Sequence, residues 1–179
     1  MIKMRKIILF IAMSLDGYIA DKNGGVEWLA GQSSNTENED TYSEFIKDID
    51  TVIMGWKTYH QVVTELSPSE WIYSNLTSYV ITHRKQNSTN CIQFVQETPA
   101  ALVKQLKGQA GKDIWICGGA NIVQQLMKEE LVDQFYISII PTLLGSGIRL
   151  FDTLDAELKL KLIQCRHYNG ITEVIYEKR

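Results

Sequence analysis

Two short stretches, Ile53-Met54-Gly55-Trp56-Lys57-Thr58 and Ile116-Cys117-Gly118-Gly119-Ala120-Asn121, place glycine between an apolar run and a helix-forming run. At such a corner the free amides of a helix start face the carboxyl edge of a sheet, and the missing side chain lets a phosphate approach the backbone. Lys57 and Thr58 add a positive charge and a hydroxyl donor at the first corner. Either corner alone reads equally well as a tight turn that needs close packing. Two of them on adjacent strand ends favour a ligand with more than one phosphate.

Other chemistries find less support. Gly55-Trp56-Lys57-Thr58 has the lysine and threonine of a P-loop without its earlier glycine, and Gly145-Ser146-Gly147 lacks the third glycine of the Rossmann fingerprint. His60, His83 and His167 lie in different segments with no paired ligand spacing, so no metal site is expected. His83 with Arg84, at a strand end, is suited to meeting a phosphate instead. No G-x-S-x-G elbow is present, which disfavours a serine hydrolase.

The elements that must position these residues follow from hydrophobic spacing. Apolar runs predict strands over Lys6 to Ser14, Thr51 to Met54, Ser78 to Thr82, Ile92 to Val95, Asp113 to Cys117, Gln134 to Ile140, Leu158 to Tyr168 and Ile171 to Lys178. The rhythm of Tyr42, Phe45, Ile46 and Ile49 predicts a helix from about Glu37 to Ile49. Further helices are expected over Lys57 to Val63, Pro99 to about Lys107 and Ala120 to about Glu129. Asn23-Gly24-Gly25 marks a turn, and Asn169-Gly170 marks a two-residue hairpin turn. Early strand–helix alternation with a terminal hairpin gives an α/β fold, largely parallel with antiparallel edge strands. No linker, repeat or low-complexity tract interrupts it, so one domain over 1–179 is expected.

Composition narrows the partners. The chain has 179 residues, 45% of them hydrophobic, enough for a core without disulfides. A net charge of -3 offers no basic surplus for a phosphate backbone, so nucleic acid is not the expected ligand. Cys91, Cys117 and Cys165 are scattered and odd in number, which fits free thiols in the cytoplasm. Lys3, Arg5 and Lys6 before the run Ile7 to Met13 resemble the start of a secretory signal. Ser14 and Asp16 break that run, and no small-x-small cleavage site follows, so a buried strand is the expectation. No segment is long and apolar enough for a membrane span.

Three stretches, Ile11 to Asp21, Asp50 to Tyr59 and Ile114 to Asn121, resemble the dihydrofolate reductase superfamily in order and spacing. Pro141-Thr142-Leu143-Leu144-Gly145-Ser146-Gly147-Ile148-Arg149-Leu150-Phe151 is similar to the branch of the riboflavin-biosynthesis deaminase/reductase, in its C-terminal reductase domain. The resemblance implies a three-layer fold with an eight-stranded mixed sheet that binds NADPH across the strand ends. Under it, Ala12 and Ile19 hold the nicotinamide carboxamide through their backbone, and Gly17 and Tyr18 belong to a loop that closes over it. Gly55, Trp56, Lys57 and Thr58 open the helix that meets the phosphates, and Thr82, His83 and Arg84 lie beside the adenosine. Cys117, Gly118, Gly119, Ala120, Asn121 and Ile122 form the second phosphate turn, where the family commonly has a cis Gly-Gly peptide.

Three departures refine what is implied. Many relatives have arginine where this chain has Trp56, so Lys57, His83 or Arg84 must grip the extra phosphate, and NADH stays open as a cofactor. Riboflavin reductases usually have glutamate where this chain has Cys117, and no attached deaminase domain is expected. True dihydrofolate reductases carry a carboxylate on the first helix. Glu39, Asp40 and Glu44 are the candidates here, and one turn back from Phe45 lands on Thr41, beside Asp40. The plainer reading of Asp40 is a solvated residue favoured by the helix dipole. Trp28, Thr41 and Phe45 match substrate-pocket positions.

The expected activity is hydride transfer from the reduced cofactor to a small pteridine- or pyrimidine-like heterocycle, imine-like or related substrate, with closure of the Asp16 to Gly25 loop gating the site. The alternatives are dihydrofolate reductase itself and a catalytically silent dinucleotide-binding module. Relatives are commonly homodimers, and Gln134 to Ile140 as an edge strand with the terminal hairpin would supply the contact; the ordinary alternative is that this strand is internal to the sheet.

Overall fold

The isoleucine-rich run near the start is hydrophobic on both faces because it lies in the middle of a sheet. In the computed structural model, which describes residues 4–36 and 39–179, it forms β1 (Ile7–Ser14). The chain continues through β2 (Tyr18–Ala20), α1 (Thr41–Phe45) with a 3-10 turn (Ile46–Asp48), and β3 (Ile49–Gly55). Next come α2 (Trp56–Gln61), running on into a π turn (Val62–Leu66), β4 (Thr77–Ile81), β5 (Ile92–Val95) and α3 (Pro99–Lys107). The second half is β6 (Asp113–Gly118), α4 (Ala120–Lys128), β7 (Gln134–Ile140), β8 (Ile148–Arg149), β9 (Leu160–Tyr168) and β10 (Ile171–Lys178).

Eight strands pair in the order β5-β4-β3-β6-β1-β7-β10-β9, and β2 pairs with β8 in a small separate sheet. In the large sheet β10 runs opposite in direction to the other seven strands. One face carries Ile7, Leu9, Ile53, Ile114, Ile116 and Phe135 against Leu102 and Leu106 of α3 and Val123 and Leu126 of α4. The other carries Ile8, Val52, Met54, Val80 and Trp115 against Phe45 of α1. Thr98 caps α3 through the Ala101 amide with Pro99 in its first turn, and Leu102, Val103 and Leu106 fall on its buried side. Among the described residues no helix is long and apolar enough to cross a membrane.

Several expectations change. The strand Gln134–Ile140 is not an edge strand: it lies between β1 and β10, so the margins of the sheet are β5 and β9. The helix expected from Glu37 to Ile49 begins at Thr41, where the Asp40 side chain accepts from the Ser43 amide. Ile46 belongs to the 3-10 turn and Ile49 already starts β3. Glu37 and Asn38, and Lys3 at the start of the chain, lie outside the described residues. The second helix starts one residue earlier than expected, at Trp56, and β9 starts at Leu160. Asn169 and Gly170 form the hairpin turn with positive φ of 45° and 75°.

Candidate functional site

The two glycine corners stand side by side because β3 and β6 are neighbours, with Met54 opposite Gly118. A Cβ on Gly55 would meet Ile122 of α4 at 3.4 Å, and a Cβ on Gly119 would meet the Thr58 hydroxyl of α2 at 3.4 Å. Each corner thus packs against the first turn of the other's helix, and the missing side chains let α2 and α4 start close together. Neither Gly55 nor Gly119 caps its helix with a side chain, so no cap side chain occupies the first-turn amides. The Gly118–Gly119 peptide is cis. Lys57 and Asn121 are exposed, and Asn121 accepts a hydrogen bond from the Gln125 side chain at 2.7 Å.

At the end of β4, Thr82 is buried and accepts from the Arg84 amide at 3.1 Å, while His83 and Arg84 are exposed. Thr82, Arg84, Lys85, Phe94 and Gln96 line an open cavity of about 340 Å³. Trp56 packs beside Tyr59 and Phe94 and carries the Arg84 guanidinium over its ring. The structure therefore brings Trp56, Thr82 and Arg84 together.

The loop after β1 is tied down on both sides. Asp16 accepts from the Ser14 hydroxyl at 2.6 Å, the Leu144 amide at 3.1 Å and the Gly145 amide at 2.7 Å. These hydrogen bonds, the Ser14 hydroxyl foremost, lower its carboxyl to about 2. Tyr18 is buried in β2, under the guanidinium of Arg149 from β8, and Ile19 packs partly against the core. Gln61 of α2 donates to the Gly24 carbonyl, linking the Asp21–Gly25 turn to the helix that starts at the Gly55 corner. Trp28 is half-buried, its indole donating to the Gly25 carbonyl at 3.2 Å.

On the α1 face of the sheet the walls are aromatic. Phe10 stacks on Phe45 with centroids 4.2 Å apart, and Trp115 meets Phe10, Tyr42, Phe45 and Tyr73 edge-on. Helix α1 buries Thr41 and Phe45, whereas Asp40 is exposed at its start. Its carboxyl is held below the ordinary value by its hydrogen bonds with Ser43. The Tyr73 hydroxyl lies 3.9 Å from the Cys117 sulfur. Burial pushes the Cys117 thiol up to about 11 and raises Tyr73 as well.

Sequence reasoning passed over Tyr42, Tyr73, Ser138, Arg166 and Glu173. Glu173 left a signal: β10 buries Ile171, Glu173 and Ile175 in strict alternation, so a carboxylate stands at a core phase. It pairs with Arg166 at 2.7 Å.

The sheet order, the single antiparallel strand β10 and the paired corners at the ends of β3 and β6 define a dihydrofolate reductase-like α/β fold. Residues 5–172 match the RibD C-terminal domain, and the chain belongs to that family. It is similar to the uncharacterized protein YwjB of Bacillus subtilis, at 38% identity over 175 residues, 96% of this chain and 97% of that one. A Shewanella sp. PV-4 protein with a provisional riboflavin-biosynthesis name superposes with a TM-score of 0.83 at 28% identity, over 97% of this chain and 99% of its own. Dihydrofolate reductase from Enterococcus faecalis, solved with NADP(H), shares the fold with a TM-score of 0.66 at 14% identity, over 97% of this chain and 96% of its own.

Proposed function

We propose that the protein is an NAD(P)H-dependent reductase acting on a small planar heterocycle. The observation that carries the reading is the pair of glycine corners at the ends of the neighbouring strands β3 and β6, each set against the first turn of the other's helix beside Ile122 and Thr58. Both helix starts lack a side-chain cap, and an extended pyrophosphate suits two adjacent helix starts of this kind. In this reading Lys57, Thr58, Gly118, Ala120 and Asn121 hold the phosphates, while Trp56, Thr82, His83 and Arg84 hold the adenosine end. The backbone of Ala12 and Ile19 orients the nicotinamide, and Gly17 and Tyr18 lie in the loop that excludes water. When bound, the reduced cofactor supplies the hydride. Trp28, Thr41 and Phe45 border the substrate.

The test is a titration of NADPH and NADH, followed by cofactor oxidation with a panel of pterins, pyrimidines and small carbonyl compounds. Binding in the micromolar range with turnover of one ring class supports the reading. Tight binding without oxidation of any of them supports a silent binding module, and no binding of either cofactor overturns both. Methotrexate separates out dihydrofolate reductase itself. With Thr41 buried on α1 and Asp40 capping the helix at the surface, methotrexate is expected to bind weakly.

A further inference from the structure

Resting on that reductase reading, we infer that Tyr73 is a specificity-determining residue on the substrate side. Its hydroxyl is a neutral donor reserved for an acceptor atom of the ligand, and the ring it selects is uncharged rather than a carboxylate, sulfonate or phosphate ester. The juxtaposition behind this is two phenols and a thiol gathered about one indole. Trp115 and Cys117 are two residues apart on β6 and share the α1 side of the sheet. Tyr42 of α1 and Tyr73, from the segment between the π turn and β4, meet the Trp115 ring edge-on with centroids 5.8 and 5.2 Å away. Cys117 directly precedes the Gly118–Gly119 corner, so the cluster stands at the strand end where the cofactor is proposed to lie.

The Tyr73 donor is aimed without being spent. Trp71 and Trp115 both meet the Tyr73 ring edge-on, which fixes the direction of its hydroxyl. That hydroxyl lies 3.9 Å from the Cys117 sulfur, and a thiol sulfur is a weak acceptor. A carbonyl oxygen or ring nitrogen arriving there is the stronger partner and displaces the sulfur. Tyr73 and Cys117 are both partly exposed, and Tyr42 is exposed, so the group is open to a ligand. Burial raises the Tyr73 and Tyr42 phenols, which therefore stay neutral donors at physiological pH.

Charge on this side of the sheet excludes anions. The register sets Ala12 opposite Ser138, Ser138 opposite Glu173 and Glu173 opposite Arg166 in one row. Residues directly opposite one another point to the same face, and Tyr136, two residues before Ser138, contacts Phe45 of α1. Arg166 thus lies on the α1 side, and it is shared by Glu173 at 2.7 Å and Glu44 of α1 at 3.0 Å. Two carboxylates on one guanidinium give the cluster a formal charge of -1. Residues 67–76, the segment that carries Tyr73, contain Glu70 and neither lysine nor arginine.

The test uses planar rings that differ in charge: 1-methylisatin beside its 5-sulfonate, and methyl quinoxaline-2-carboxylate beside the free carboxylate. Binding is read by calorimetry with and without saturating NADP+, and turnover by NADPH oxidation. Each neutral ring is expected to bind about tenfold tighter than its anion, and raising the salt concentration or Glu44→Gln should narrow that ratio. Tyr73→Phe keeps the ring contacts and removes the donor, so it should weaken both neutral rings by about tenfold. The same variant should leave 1-methylindole, which has no acceptor to offer, unchanged. Anions that bind as well as the neutral rings, neutral rings indifferent to Tyr73→Phe, or no binding of either neutral ring overturns the inference. NADPH binding to the wild-type protein is scored separately: cofactor that binds without these ring effects removes the inference and leaves the reductase reading standing, whereas absence of cofactor binding removes that reading itself.

Discussion

Arg84 holds its guanidinium carbon 5.1 Å from the centroid of the Trp56 ring, so a cation from the end of β4 covers the residue that opens α2. Beside Lys57, a second positive charge thus reaches this corner from a different strand, held in place by an aromatic face. Arg84 is exposed beside the open cavity and is free to take a phosphate in a bidentate grip. Arg84→Ala is therefore expected to weaken NADPH by about tenfold, on the order of 1.4 kcal/mol, and NADH far less. Raising the salt concentration should shrink the wild-type preference, and the variant should show little salt effect. Paired titrations of the two cofactors check this.

Asp16 latches the loop after β1 onto the segment between β7 and β8. Its folded carboxyl is lowered from 3.8 to about 2, chiefly by the Ser14 hydroxyl and then by the Gly145 and Leu144 amides. A depressed folded value means that the latch contributes fully above the ordinary value of 3.8 and is lost as pH falls from there toward 2. Amide exchange at Leu144 and Gly145 should accelerate across that window. Asp16→Asn should show faster exchange already at neutral pH, together with a raised KM for cofactor if this loop closes the site. Core amides such as Ile116 should not respond.

Cys117 and Cys165 should separate cleanly in alkylation. Burial raises the Cys117 thiol to about 11, while Cys165 is exposed on β9. Since the thiolate is the reactive form, iodoacetamide at pH 8 should label Cys165 first and Cys117 roughly a hundredfold more slowly. The Tyr73 hydroxyl lowers the Cys117 value, so Tyr73→Phe should slow Cys117 further at each pH. Peptide mass spectrometry over a pH series reads both effects.

Features set by neighbouring residues were legible in the chain. Asn169-Gly170 specifies its hairpin locally, and the buried run Thr51–Met54 ending at Gly55 is a strand-to-helix corner whatever lies around it. The expected helix over Glu37 to Ile49 was too long because Ile46 and Ile49 keep a helical rhythm while packing as a 3-10 turn and the first residue of β3. The strands β2 and β8 are three and two residues long, and only pairing across a long sequence separation creates them. The Ala12–Ser138–Glu173–Arg166 row needs the register of four strands, which periodicity within one strand cannot supply.

Gly147 is the tightest point of the small β2–β8 sheet. Its φ is 151°, and a Cβ there would run into the carbonyl oxygen of Ala20, so neither the backbone shape nor the space admits a side chain. Gly147→Ala must push β8 away from β2 and strain the Asp16 latch at Gly145 two residues before it. A loss of about 1–3 kcal/mol is expected from the strained backbone alone. Ser146→Ala, at an exposed neighbouring position, should stay within roughly 0.5 kcal/mol of wild type. Urea unfolding of the two variants makes the comparison. Equal stability would mean that the β2–β8 pair contributes nothing to the folded state, and loop closure over the site would then have to be anchored elsewhere.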